Sequence, residues 1–256
     1  MKFGTCVGMD PERIAVSGKV GFDYVETNMT ELALADDDKL SKFINALQES
    51  GIPCEASNCF IPGDRYRIVG ENVDYPSIAE YVDLALERAG KVGIKSAVFG
   101  SGGARKAPDG FSLEEAENQI ICFLKEIVSP RAEKYGITIA VEPLYKEACN
   151  LINLVQEGVD IAKATGCGNI KGLADLFHMY YEKDSVESIA ANKGWIHHAH
   201  IANPVNRGFP APGDGFDFAP FIGALKFAGC PRLTIEAGTE DFEKDAYLAL
   251  EVLKTV

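Results

Sequence analysis

Ile137-Thr-Ile-Ala-Val-Glu142 is an apolar run that ends on a carboxylate, and three later stretches repeat the arrangement: Gly172-Leu-Ala-Asp175, Trp195-Ile-His-His-Ala-His200 and Leu233-Thr-Ile-Glu236. Each puts a carboxylate or an imidazole at the C-terminal end of a strand-like segment. A parallel α/β barrel keeps its chemistry at that end of its strands. Four further segments complete the count: Lys2 to Val7, Phe22 to Glu26, Pro53 to Asn58 and Ser96 to Gly100. With Ile137 to Glu142, Ile170 to Asp175, Ile196 to Ile201 and Leu233 to Glu236, there are eight, the number that closes a barrel.

Helical patterns separate these segments. Ser77-Ile-Ala-Glu80 and Ser112-Leu-Glu-Glu115 read as capping boxes, in which hydroxyl and carboxylate satisfy the unpaired amides at a helix start. After Ser77, residues Ile78, Tyr81, Val82, Ala85, Leu86 and Ala89 recur at helical spacing, with Gly90 and Gly93 behind them. The second box opens a helix expected through Ile127. Leu40 to Leu47 ends before Gly51 and Leu154 to Ala164 before Gly166, both suited to a left-handed C-terminal cap. Asp10 to Lys19 shows no strong period. Strand and helix alternate at the pace of an α/β protein, and eight units favour a barrel over an open doubly wound sheet. The expected fold is a single (β/α)8 TIM barrel over residues 1–256.

Composition agrees. The 256 residues are 46% hydrophobic, enough for a sizeable core, and no linker or charge block divides them. The N-terminus lacks a signal-peptide pattern and no apolar run reaches the ~18 residues needed to span a bilayer, so a soluble, cytoplasmic protein is expected. The seven cysteines are scattered without C-x-x-C spacing, which reads as reduced thiols behaving as small buried hydrophobes. A net charge of −13 repels a phosphate backbone and argues against nucleic-acid binding.

Taken singly, a carboxylate at a strand end reads as a solvated terminus. Four such positions on neighbouring arcs of one rim read differently, because burying Glu142 or Glu236 without a cation is costly. Two Glu, one Asp and one His make a hard, oxygen-rich donor set that suits Mn²⁺, Mg²⁺ or Co²⁺ and also accommodates Zn²⁺.

Val141-Glu-Pro-Leu144, Asp175-Leu-Phe-His178, His198-Ala-His200 with Arg207 following, and Ile235-Glu-Ala237 resemble the motifs of the xylose isomerase-like sugar isomerases and epimerases, the ketose 3-epimerases in particular. The motif match runs over residues 137 to 240, with looser agreement through Phe99-Gly-Ser-Gly-Gly-Ala-Arg105. The resemblance implies that Glu142, Asp175, His200 and Glu236 bind one divalent cation, usually Mn²⁺, and that His178 and Arg207 contact substrate oxygens. It implies a small-molecule sugar or sugar derivative as substrate, and a homo-oligomer. In one respect the chain departs: where ketose 3-epimerases tend to carry a further Glu six residues after the first metal Glu, this chain has Ala148, with Glu147 beside it.

Metal chelation of a ketose would acidify the neighbouring C–H and stabilise an enediolate. Glu142 and Glu236 could then act as general base and general acid on opposite faces, which inverts the stereocentre. Use of one face gives aldose–ketose isomerisation instead. An inosose dehydratase-like lyase shares the fold and ligands. An abasic-site endonuclease-like phosphodiesterase fits less well, since it uses two or three Zn²⁺ and many histidines where this chain has only four, and a non-catalytic sugar binder needs no acid/base pair. The Gly100 to Arg105 segment reads as a tight turn ahead of an anion-binding nest. Phe209 is the expected substrate-covering aromatic, and Val7 to Asp10 and Phe60 to Tyr66 the loops that shape the pocket.

Overall fold

The computed structural model describes residues 1–256. Its strands are β1 (Lys2–Cys6), β2 (Tyr24–Asn28), β3 (Cys54–Asn58), β4 (Ser96–Phe99), β5 (Thr138–Val141), β6 (Ile170–Asp175), β7 (Ile196–Ile201) and β8 (Arg232–Ile235). All pair in parallel with their sequence neighbours, and β8 closes on β1. This is the expected TIM barrel. Glu142 and Glu236 stand one residue past the ends of β5 and β8, on the rim.

Strand alternation divides the apolar residues between two layers. Ala97 and Phe99 of β4, with Ile139 and Val141 of β5, join the large core between sheet and helices, while Val98, Ala140 and Leu173 form a separate small cluster. Each fully buried aliphatic or aromatic side chain in the outer layer contributes about 1.5–3 kcal/mol. The rest of the barrel interior is polar: Glu26, Ser96, His198, His200 and Thr234 are all fully buried. Tyr24 lies against Gly4, where an added Cβ would come 2.5 Å from the ring, and its hydroxyl is 2.7 Å from Thr234 Oγ1.

The helices refine the sequence reading. Asp10 caps the helix Pro11–Val20, which buries only Ile14 and Ser17 and therefore shows little periodicity. Gly51 and Gly166 cap their helices at φ 69° and 68°, as expected. Ser77 does not open its helix: Tyr75–Val92 starts two residues earlier, and Asp74 is the cap, its Oδ1 accepting from Ser77 N at 3.2 Å. A carboxylate one turn upstream outcompetes the hydroxyl, and Pro76 sits where a missing N–H costs nothing. Ser112 does cap its helix, through the hydroxyl half of the box only. That helix runs beyond Ile127, through a π-helical stretch Phe123–Val128 into Ser129–Glu133, just ahead of Pro130, which lacks the N–H that a regular α-turn needs.

All seven cysteines are free, but Cys59 and Cys122 are exposed, which corrects the expectation that every one is buried. Cys59 lies in the loop after β3 and Cys122 on the outer face of a helix, where no apolar layer covers them. No helix is long and apolar enough to cross a membrane.

Candidate metal centre and active site

Glu142 is placed by close backbone packing. Its N–H donates to Phe99 O at 3.2 Å, and the fully buried Arg105 guanidinium donates to its carbonyl at 2.7 Å, and to Phe99 O and Ile152 O at 3.0 and 3.4 Å. Arg105 is thus a structural clamp, which fits the tight-turn reading of Gly100 to Arg105. At Gly100 an added Cβ would sit 2.0 Å from Glu142 Oε2. Only glycine leaves the carboxylate its place.

Asp175 serves two purposes. Its Oδ1 caps the helix Leu176–Glu182 by accepting from His178 N at 3.0 Å, while its Oδ2 lies 3.7 Å from His200 Nδ1. The cap explains the Asp-x-x-His spacing, since it holds His178 at the third helical position beside the site. The buried His178 accepts from Tyr145 N at 3.3 Å through Nδ1, which leaves Nε2 as the ring nitrogen without a protein partner. Its ring stacks on Tyr145 and meets Phe177 edge-on, and burial lowers its basicity.

Glu236 is held from two sides, accepting from Asn58 Nδ2 at 2.8 Å and lying 3.4 Å from Arg207. Arg207 has φ 53°, and its guanidinium sits 4.6 Å above the Phe177 ring. Phe209 is buried against Phe242 and lines a neighbouring cavity with Pro210, Gly238 and Asp241, so the covering aromatic expected there is corrected to a wall residue of that loop. Glu147 and Ala148 are both exposed in the turn after β5.

His200 is the hub. Its Nδ1 is 3.0 Å from Glu142 Oε1, 3.7 Å from Asp175 Oδ2 and 3.8 Å from Glu236 Oε2. The four residues offer ligand atoms that all lie within 4.8 Å of one another. On the other edge, His200 Nε2 is 3.0 Å from Glu26 Oε1, and the second oxygen of Glu26 is 2.9 Å from His198 Nε2. Thr234 Oγ1, itself paired with Tyr24, approaches His198 Nε2 at 3.1 Å.

The electrostatics explain why this cluster suits a cation. Burial pushes the Glu142 carboxyl up, with Glu236 and Asp175 adding to the push and His200 opposing it. Burial likewise drives Asp175 up to about 6, against the pull of His200. Burial opposes charge on His200, but Glu26, Glu236 and Glu142 outweigh it and raise the imidazole well above its usual range. Glu26 is also penalised by burial, yet His200 and His198 hold it well below the usual carboxylate range. The buried Glu142 and Asp175 carboxyls and the His200 imidazole retain protons to limit repulsion in a dry site, and a dication among them removes that need. Glu26 fixes the other edge of the imidazole and so turns Nδ1 toward the donor set. The residues fit one divalent ion.

The pocket in front of this cluster, about 440 Å³, is lined among others by Cys6, Gly8, Arg13, Asn58, Arg207 and Glu236. The family model for the xylose isomerase-like TIM barrel matches residues 14–256. The chain belongs to that family. Within it, the chain is 36% identical over 87 residues to D-psicose 3-epimerase of Ruminiclostridium cellulolyticum, covering 34% of this chain and 29% of the relative. It is 29% identical over 146 residues to a probable ketose 3-epimerase of Synechocystis sp., covering 55% and 50%. The matched segments thus span half or less of these relatives. The structure of D-psicose 3-epimerase with D-tagatose from Clostridium cellulolyticum superposes with a TM-score of 0.86 at 20% identity, covering 100% of this chain and 99% of the other, a likeness of fold.

Two residues escaped the sequence reading of this xylose isomerase-like barrel: Glu26 and Asn58. Both had been placed at strand ends without a role. The available signal for Glu26 was a carboxylate inside Tyr24-Val-Glu-Thr-Asn28, bracketed by β-formers. Alternation along β2 turns Val25 outward into the large core and Glu26 inward against the histidines.

Proposed function

We propose that this chain is a sugar epimerase or isomerase, most closely a ketose 3-epimerase, working with one divalent cation. Glu142, Asp175, His200 and Glu236 would hold the ion, Mn²⁺ being the first choice, with Mg²⁺, Co²⁺ and Zn²⁺ compatible with the same donors. When bound, the ion supplies a Lewis acid that withdraws charge from a ketose carbonyl and acidifies the adjacent C–H.

The observation that carries the reading is the pairing of Glu142 and Glu236, which follow β5 and β8 and converge on one imidazole nitrogen at 3.0 and 3.8 Å. Two carboxylates approaching one site from different strands can work on opposite faces of a sugar held between them. One removes the proton from carbon and the other delivers a proton to the opposite face, which inverts that centre. Asn58 and Arg207 hold Glu236 in position, and Gly100 leaves the space that Glu142 occupies. His178 and Arg207 contact substrate oxygens, with the aromatic wall of Tyr145 and Phe177 behind them.

The test is deuterium incorporation from D₂O into ketoses, sugar phosphates and inososes, read by NMR with Mn²⁺ added or chelated. Metal-dependent label at the carbon beside the carbonyl, together with isomer formation, is expected. Loss of water from an inosose without exchange into ketoses would assign a lyase instead.

A further inference from the structure

We propose that the substrate is a ketose carrying a second, uncharged ring, and that this ring occupies a separate lobe over the ends of β2, β3 and β4. The inference rests on the epimerase reading above and names its substrate class.

The pocket at the metal cluster, about 440 Å³, already lies within the range of about 300–1,000 Å³ typical of small-molecule sites. Beside it is a larger cavity of about 690 Å³. Asn28 and Glu31 line both, so the two lobes form one cleft. A free ketohexose at the metal would leave the larger lobe empty.

The larger lobe is a built surface. Thr30 Oγ1 donates to Cys59 O at 2.7 Å, and Ile61 N donates to Ser101 Oγ at 2.9 Å, which ties the segments after β2, β3 and β4 to one another. Gly63 packs on Gly103 so closely that an added Cβ would come 2.6 Å from its backbone. Cys59 and Ser101, both lining the lobe, hold φ of 51° and 42°, a conformation unfavourable for side-chain-bearing residues. Strain of this kind persists only where the surroundings over-determine it, and it concentrates at ligand sites.

The lining chemistry selects the ring. Thr30, Asn28 and Ser101 line the lobe with neutral polar side chains, and the exposed Leu34 offers apolar surface, the mixture that a polyol ring with hydroxyl edges and C–H faces requires. Glu31, Asp36 and Asp64 outnumber the lone cation, Lys39, which Glu31 already engages. That balance repels a phosphate or carboxylate. The ketose end therefore sits at the metal cluster, and a substituent on its distal hydroxyls extends into the lobe.

The experiment compares a free ketohexose with the same ketohexose bearing a glucosyl ring on O4 or O6, using the Mn²⁺-loaded protein. Two readouts are taken: deuterium exchange rates, and saturation-transfer NMR, which reports binding of each ring without turnover. The glucosylated ketose is expected to show kcat/KM at least about tenfold higher, with saturation on both rings. Leu34→Trp and Asp64→Trp each fill the lobe away from the metal cluster; each should lower kcat/KM for the glucosylated ketose about tenfold and change that for the free ketohexose by less than roughly twofold. Equal efficiency on both sugars, or saturation confined to the ketose ring, would overturn the proposal while leaving the epimerase reading intact. Failure of both sugars to bind or exchange would remove the epimerase reading and this inference with it.

Discussion

The two halves of the barrel rim are built on different principles. The arc from β5 to β8 carries Glu142, Asp175 and Glu236, which converge on His200 Nδ1, and each of the four residues lies within one position of the end of its own strand. The arc from β2 to β4 carries the larger lobe and, beneath it, the support: Glu26 below His200 and Asn58 beside Glu236. The first arc concentrates charge that burial penalises, and the second neutralises or steers it. Chemistry and orientation thus come from opposite sides of one ring of strands.

The largest effect should fall on the first arc. Glu236→Gln keeps the shape of the side chain but removes its basicity and charge. Turnover should fall by about 10²–10⁴-fold, the usual contribution of a general acid or base, with the circular dichroism spectrum unchanged and metal binding weakened. Near-normal turnover would remove Glu236 from the mechanism.

Acidity offers a second way to probe the same arc. Asp175 is pushed up to about 6 by burial and His200 well above its usual range, so both tend to hold protons that a cation must displace. Protons compete with metal, so Mn²⁺ affinity should fall as pH drops from 7.5 to 5.5, by up to about tenfold per pH unit for each proton released. Isothermal titration in buffers of different ionisation enthalpy counts those protons. A pH-independent affinity would contradict a cluster that is proton-loaded before metal binds.

Glu26→Gln carries the comparison to the second arc. A glutamine amide cannot accept from both His200 and His198, so one imidazole loses its anchor and the orientation of Nδ1 loosens. Loss of such an outer partner typically weakens metal affinity about 10–100-fold, and that is the expected change in Mn²⁺ dissociation constant. An unchanged constant would mean that β7 and its neighbours orient His200 unaided, and the proposed division of labour between arcs would fail.

How far the molecule is legible in its sequence differs along the same divide. The four converging residues could be read because each ends an apolar run, and a strand end in a parallel barrel is a rim position. Glu26 also ends such a run, yet its partners are 172 and 174 positions away in sequence and meet it only through barrel closure. Arg105 is similar: its composition suggested turn or anion nest, and only the fold reveals that it clamps three carbonyls. Phe209 erred in the other direction, because a Pro- and Gly-rich loop gives no sign that Phe242 from another segment waits to cover the ring.

Arg207, in the loop after β7, gives a smaller test of the first arc. Arg207→Ala removes a guanidinium that reaches Glu236 and covers Phe177. KM for the true substrate should rise about tenfold, in line with loss of one charge-assisted hydrogen bond, with metal affinity little altered. If KM is unchanged, Arg207 is a solvated loop charge and recognition in the first arc falls to His178.

The smallest effect concerns the scaffold beneath the larger lobe. Asp74 rather than Ser77 caps Tyr75–Val92, the helix that leads into β4. Asp74→Ala should therefore lower unfolding free energy by about 1 kcal/mol in urea titration, whereas Ser77→Ala should cost only a fraction of that. The reverse order would restore Ser77 as the cap and start the helix three residues later, at Ile78. Because neither residue touches the cleft, turnover per folded molecule should be the same in both variants, which separates stability of the second arc's scaffold from the orientation that its Glu26 provides.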